Sequence, residues 1–120
     1  MGKKVAGTCY VTAGSTQFDL SGTVTVSPED NEKEGLVGPS GVAGYKESPR
    51  VPFIEIEAFT TNGLDVKAIA EDDDMTVTAE CANGQVWTLR NAWKAGATDM
   101  NVVDGTAPLR FEGMKCERVK

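Results

Sequence analysis

Met75-Thr76-Val77-Thr78-Ala79-Glu80-Cys81-Ala82-Asn83-Gly84-Gln85-Val86-Trp87-Thr88-Leu89-Arg90 reads as two strands and a turn. Met75, Val77, Ala79 and Cys81 share one face under the two-residue period of an extended chain. Trp87 and Leu89 repeat the pattern on the return. Asn83-Gly84 invites a two-residue turn. That register sets Glu80 against Trp87 and Val77 against Arg90, which divides the apolar set between two faces. A three-residue loop, Ala82-Asn83-Gly84, pairs Ala79 with Trp87 and Val77 with Leu89. It also gives Gly84 the left-handed position, where a side chain costs most. A one-residue slip turns a whole strand inside out, so the three-residue loop is the expected one.

The same alternation extends outward from this hairpin. Val5 to Thr12 reads as a first strand, and Ala13-Gly14-Ser15-Thr16 as a turn. From Gln17 to Ser27, Phe18, Leu20, Val24 and Val26 take one face and polar residues the other, with Gly22 marking a bulge or bend. Pro52 to Phe59 alternates Ile54, Ile56 and Ala58 against Glu55 and Glu57. Leu64 to Ala70 is read as a short helix, since Leu64 and Ala68 are four apart. Glu71 to Asp74 is an acidic turn. A two-residue turn at Asp104-Gly105 is expected to pair Met100 with Leu109, Val102 with Ala107 and Asp99 with Arg110. Residues 114–120 read as a polar C-terminal tail, mobile unless a neighbour binds it. These elements define a mainly β class: a small β-barrel or sandwich with one short α-helix, in a single domain spanning 1–120.

Composition narrows the function. The chain has 120 residues, 40% hydrophobic and 25% charged, enough for one core. No apolar run has the length of a membrane helix, and the start lacks a secretory signal. Gly2 is not followed by the Ser or Thr that myristoylation requires at position 6, which is Ala. Histidine is absent, which removes the commonest general base and metal ligand. Cys9, Cys81 and Cys116 are odd in number and widely spaced, fitting reduced structural thiols rather than a disulfide framework or a zinc site. The net charge of −6 argues against tight nucleic-acid binding. It fits a conduit that DNA passes without sticking, and equally a surface that is merely soluble.

The candidate chemical motifs are weak. Asp72-Asp73-Asp74 lacks the spaced ligands of a calcium loop. Gly38-Pro39-Ser40-Gly41 lacks the ending and the helix of a phosphate loop. No serine sits in a nucleophile elbow. Glu55 and Glu57 share a strand face and read as solvated. No catalytic, metal-binding or cofactor-binding residue is assigned, and no cofactor is expected. Trp87 reads as core. Trp93 fits either the core or a subunit contact.

The unusual segment is Pro28 to Val51. It carries Gly35, Gly38, Gly41 and Gly44 with Pro28, Pro39 and Pro49, and is too long for an ordinary hairpin loop. A monomer gains little from such a loop, whereas an oligomer can lay it over a neighbour as an arm.

Gly44-Tyr45-Lys46-Glu47-Ser48-Pro49-Arg50-Val51-Pro52-Phe53-Ile54-Glu55 resembles the segment after the long loop in tail tube proteins of Mu-like contractile phages. The resemblance continues in order through Val5-Ala6-Gly7-Thr8, Gly22-Thr23-Val24-Thr25-Val26-Ser27-Pro28, Glu34-Gly35 with Gly38, Thr76 to Glu80 with Ala82-Asn83-Gly84, Leu89-Arg90-Asn91-Ala92-Trp93 and Arg110-Phe111-Glu112-Gly113. It covers nearly the whole chain. It implies homohexameric rings stacked into a tube inside a contractile sheath, with the sheath protein, tape measure and baseplate or terminator proteins as partners. DNA would pass without specific binding, with no membrane involved, and the virion tail would be assembled in the host bacterial cytoplasm. Tubes of type VI secretion systems and pyocins look related, so an injection device is the alternative. Under this resemblance Gly35, Gly44, Tyr45, Lys46, Pro49, Arg50 and Trp93 are the expected interface residues, Tyr45 and Arg50 foremost. Gly35 and Gly44 would supply bends. Two other classes compete: a β-barrel binding a small ligand under the loop as a lid, and an enzyme with a buried carboxylate pair.

Overall fold

The computed structural model describes residues 9–14, 16–20, 24–60 and 64–120. Val5 to Thr8, read as the start of the first strand, and Gly22 lie outside them.

Among the described residues, ten strands and one helix follow in order: β1 Tyr10–Ala13, β2 Thr16–Phe18, β3 Thr25–Ser27, β4 Asn31–Gly38, β5 Gly41–Pro49, β6 Phe53–Phe59, α1 Val66–Glu71, β7 Met75–Glu80, β8 Val86–Lys94, β9 Thr106–Glu112 and β10 Lys115–Arg118. Eight strands form one sheet in the order β2-β1-β7-β8-β9-β6-β3, with β10 also on β8. An isolated bridge between Leu20 and Ala58, with Phe59 N–H donating to the Asp19 carbonyl at 2.7 Å, joins the end of β2 to β6. The circuit of pairings thereby closes on itself.

The central hairpin has the expected register. Val77 faces Leu89 and Ala79 faces Trp87. The Cys81 and Gln85 backbones close the three-residue loop at 2.8 Å, and Gly84 takes φ 91°. Trp87 sits half-buried at the rim of that core-facing row rather than inside the core. β6 buries Ile54, Ile56 and Ala58 and exposes Glu55 and Glu57, as its alternation requires. Phe18 is buried, and Leu20, Val24 and Val26 pack against the same core.

The last third of the chain differs from the sequence reading. β9 does not take the expected register against residues 99–102. It pairs with β6, so that Phe111, Leu109 and Ala107 meet Ile54, Ile56 and Ala58. Three matched apolar pairs outweigh the local turn, and Val102 and Val103 are left 85% and 95% exposed. Only Asn101 and Thr106 bridge across that loop. Residues 114–120 are not a free tail, because β10 runs along β8 with Cys116 opposite Leu89. β9 and β10 keep one register against β8: Glu112 faces Trp93, and Lys115 faces Arg90. The helix begins two residues later than expected, at Val66. Asp65 caps it, its carboxylate accepting from Ala68 N–H at 3.1 Å. Val66 and Ile69 lean on the core.

Candidate assembly surface

The Pro28–Val51 segment, expected as an irregular loop, is an antiparallel hairpin. β4 and β5 pair with each other from Asn31–Pro49 to Gly38–Gly41 and with no strand of the larger sheet. Strands of eight and nine residues extend roughly 27–30 Å, and the molecule measures 60 × 31 × 28 Å. The hairpin is therefore an arm. Every residue of β5 is exposed, and so is every residue of β4 except Gly38.

A register shift between Leu36 and Val37 leaves Ala43 as an extra residue in β5, and Gly44 beside it takes φ 131°. Gly44 thus sits at an irregularity of the arm. Gly35 marks none and lies in regular pairing opposite Tyr45. One face of the arm carries Tyr45, Gly35, Val37 and Val42 by pairing, and the Lys33 ammonium sits 5.0 Å from the centre of the Tyr45 ring. The other face carries the Lys46–Glu34 ion pair at 3.8 Å, with Leu36 beyond it. Val37 and Val42 are 83% and 84% exposed, and Tyr45 is 59% exposed. A lone two-stranded hairpin is marginal in water, and this one holds its apolar side chains farthest from the body.

Pro49 ends the arm opposite Asn31. Arg50 is at the root. Its N–H donates to the Asp30 carbonyl at 3.0 Å, and its guanidinium donates to Ser27 Oγ at 2.8 Å and lies 6.0 Å from the Phe53 ring. Trp93 is on the body, half-buried, in a row running from Trp93 to Glu112 to Phe53 across β8, β9 and β6. Arg110 lies over Phe53 at 3.8 Å and donates to Glu55 and Glu112, each at 3.1 Å. The structure therefore gathers Gly35, Gly44, Tyr45, Lys46 and Pro49 on the arm, with Arg50 at its root and Trp93 on the body, two strands from Phe53. Sequence reading missed Leu36, Val37 and Val42. Their signal was an apolar pair on each side of Gly38-Pro39-Ser40-Gly41.

The acidic triplet is occupied by turn bonds: Asp72 accepts from Asp74 N–H at 3.1 Å, and Asp74 accepts from Asn91 Nδ2 at 3.1 Å. Among the described residues, no group of three or more His, Cys, Asp or Glu is placed to hold a metal ion. No described helix is long and apolar enough to cross a membrane.

The fold is that of tube and terminator subunits of contractile injection machines. The sheath/tube terminator of an extracellular contractile injection system, PVC, superposes with a TM-score of 0.60 at 10% identity over 93% of both chains. The tube terminating cap of the anti-feeding prophage superposes at 0.59, with 11% identity over 98% of this chain and 91% of that one. The family model for phage tail tube proteins matches residues 2–118, and the chain belongs to that family. It is 26% identical over the full length of both chains to the Mu-like prophage FluMu tail tube protein of Haemophilus influenzae. It is 23% identical to the tail tube protein of Escherichia phage Mu over 78% of this chain and 79% of the relative. The molecule is a structural protein of a contractile phage tail, and its place is the virion tail.

Proposed function

We propose that copies of this chain close into rings of six that stack as the inner tube of the tail, each arm lying on a neighbouring subunit. The observation that carries the reading is the arm itself: two exposed faces, apolar side chains at the far end, and no pairing with any described strand of its own body. Covering Val37, Val42 and Tyr45 removes apolar surface from water. Among the described residues the outer sides of β3 and β10 carry no further strand, and neighbouring sheets would complete these edges. Head-to-tail closure makes a ring, and axial contacts leave the ends open for growth.

In this reading the tube carries DNA without holding it, because a chain of net charge −6 repels phosphates. A contractile sheath surrounds the tube, a terminator caps it, and tape measure and baseplate proteins meet it at its length and tip. Assembly takes place in the host cytoplasm, and the role is structural rather than catalytic. Deleting residues 35–44 and imaging the purified protein by negative-stain electron microscopy tests the proposal. Loss of rings and tubes, with the body still folded by circular dichroism, is expected. Tubes of normal length and width would overturn the role of the arm.

A further inference from the structure

The cysteines expected to be unrelated structural thiols are not equivalent in space. β1 and β7 pair with Tyr10 opposite Glu80, Val11 opposite Ala79, Thr12 opposite Thr78 and Ala13 opposite Val77. One step beyond the Tyr10–Glu80 pair, the same register sets Cys9 directly across from Cys81.

The kind of pair follows from two backbone bonds. Gly14 N–H donates to the carbonyl of Thr76, its opposite residue, at 3.0 Å, so that position is a hydrogen-bonded pair. Such pairs alternate with non-hydrogen-bonded ones along an antiparallel ladder. Counting back from Gly14, the Cys9–Cys81 position is non-hydrogen-bonded. The far side of β7 agrees. Cys81 N–H donates to the Gln85 carbonyl at 2.8 Å, and its own carbonyl accepts from Gly84 N–H at 3.0 Å, so its backbone faces away from β1. Opposed α-carbons at non-hydrogen-bonded positions stand about 4.5 Å apart, within the roughly 4.4–6.8 Å that a disulfide bridges. Both side chains belong to the face that buries Val11, Ala13, Val77 and Ala79, and both are half-buried at its rim.

We infer that Cys9 and Cys81 form a cross-strand redox pair that closes to a disulfide in an oxidising environment and fixes β1 to β7. With a low-molecular-weight disulfide such as oxidised glutathione, one cysteine thiolate attacks a glutathione sulfur and expels a glutathione thiolate. The second cysteine thiolate then attacks the protein sulfur of the mixed disulfide and expels the other glutathione. Two protein thiols are oxidised, one glutathione disulfide is reduced to two thiols, and the two cysteine protons end on them. The bond ties residue 9, at the edge of the described chain, to the middle of the sequence, across a loop long enough for a large entropic effect on the unfolded chain.

Cys116 is outside this chemistry. It faces Leu89 on the far side of β8, and Leu89 faces Val77, so it stands two strands away from β7 and farther along it than a disulfide reaches. Burial first, and the Glu117 carboxylate second, push its thiol up to about 11, which suppresses the nucleophilic thiolate. The inference is independent of how the chain assembles.

The test oxidises the reduced full-length chain with oxidised glutathione in native buffer, alkylates remaining thiols, and maps linked peptides by mass spectrometry. A Cys9–Cys81 peptide within single chains, with Cys116 alkylated, is expected. Cys9→Ser and Cys81→Ser each lose the link, and Cys116→Ser keeps it. In urea the preference for that pair disappears. Glutathione adducts on both residues without a link, links mainly between chains, or the same pairings in urea as in buffer would each overturn the inference. The oxidised protein is expected to melt higher than the reduced one, and dithiothreitol to reverse the shift. Equal midpoints would overturn the clamp.

Discussion

Gly113 lies flat against Leu89: a methyl group on its α-carbon would stand 2.8 Å from Leu89 Cγ and 2.9 Å from the Arg90 carbonyl oxygen. Gly113 is buried where β9 passes into β10, while Leu89 is fully buried on β8. The close approach lets one continuous register run along a bent strand. Gly113→Ala is therefore expected to destabilise the chain by about 1–3 kcal/mol, as overpacking does. The urea midpoint measures it. Combining it with Leu89→Ala should cost less than the sum of the two, because that change removes two of the three close atoms.

The opposing strand bends by a different device. The register of β7 against β8 shifts between Met75 and Val77, and Asn91 there takes φ 50°, the only non-glycine at positive φ among the described residues. Its amide donates to Asp74 at 3.1 Å. Asparagine tolerates this conformation better than other side chains. Asn91→Gly keeps the backbone and loses one exposed bond, so its cost should stay within about 1 kcal/mol. Asn91→Ala adds backbone strain and should cost roughly 1–2 kcal/mol more. Thermal unfolding of the two variants side by side checks the order.

These bends mark what the sequence could and could not convey. The β7–β8 register was legible because a turn glycine and an apolar alternation gave the same answer. β6 was legible because one of its faces is buried. The arm was not, since alternation is a sign of one buried face and β4 and β5 bury neither. Its apolar side chains are exposed on both faces, so no buried face leaves an alternation to read. The Asp104-Gly105 turn misled because local turn chemistry says nothing about the distant β6, whose three apolar residues took β9 instead. β10 looked like a tail because its residues are mostly polar, and only Cys116 packs on the core. Of the expected interface residues, Gly35, Gly44, Tyr45, Lys46 and Pro49 fall on the arm, and nothing local distinguished Arg50 as a root residue.

Acid should loosen β10. The Lys115 ammonium first, and the Arg90 guanidinium second, hold the Glu117 carboxyl below its ordinary value. A group with a depressed folded-state value adds stability that is present above the unfolded value and lost as the pH falls through the folded one. The stability difference between the chain and its Glu117→Gln variant should thus be flat near neutrality and shrink through the acidic carboxylate range. Denaturant titrations at several pH values measure it. A difference that grows with acid would contradict the assignment.

Contact and positioning in the arm separate by mutation. Val37 and Val42 touch little within their own chain, so Val37→Asp and Val42→Asp should leave the folded monomer within about 0.5 kcal/mol of the original. The same changes place a charge where a neighbour would bury it, so the concentration needed for polymerisation should rise at least tenfold, or tubes should vanish. Arg50 acts differently, through Ser27 and the Phe53 ring at the root. Arg50→Ala should weaken assembly while leaving any arm docking geometry that still forms unchanged, and Ser27→Ala should reproduce part of its effect, because both release the same 2.8 Å bond. If Arg50 instead contacted a neighbouring subunit directly, Ser27→Ala would leave polymerisation untouched. Light scattering against protein concentration distinguishes the two, since the positioning role requires both root variants to shift the onset in the same direction.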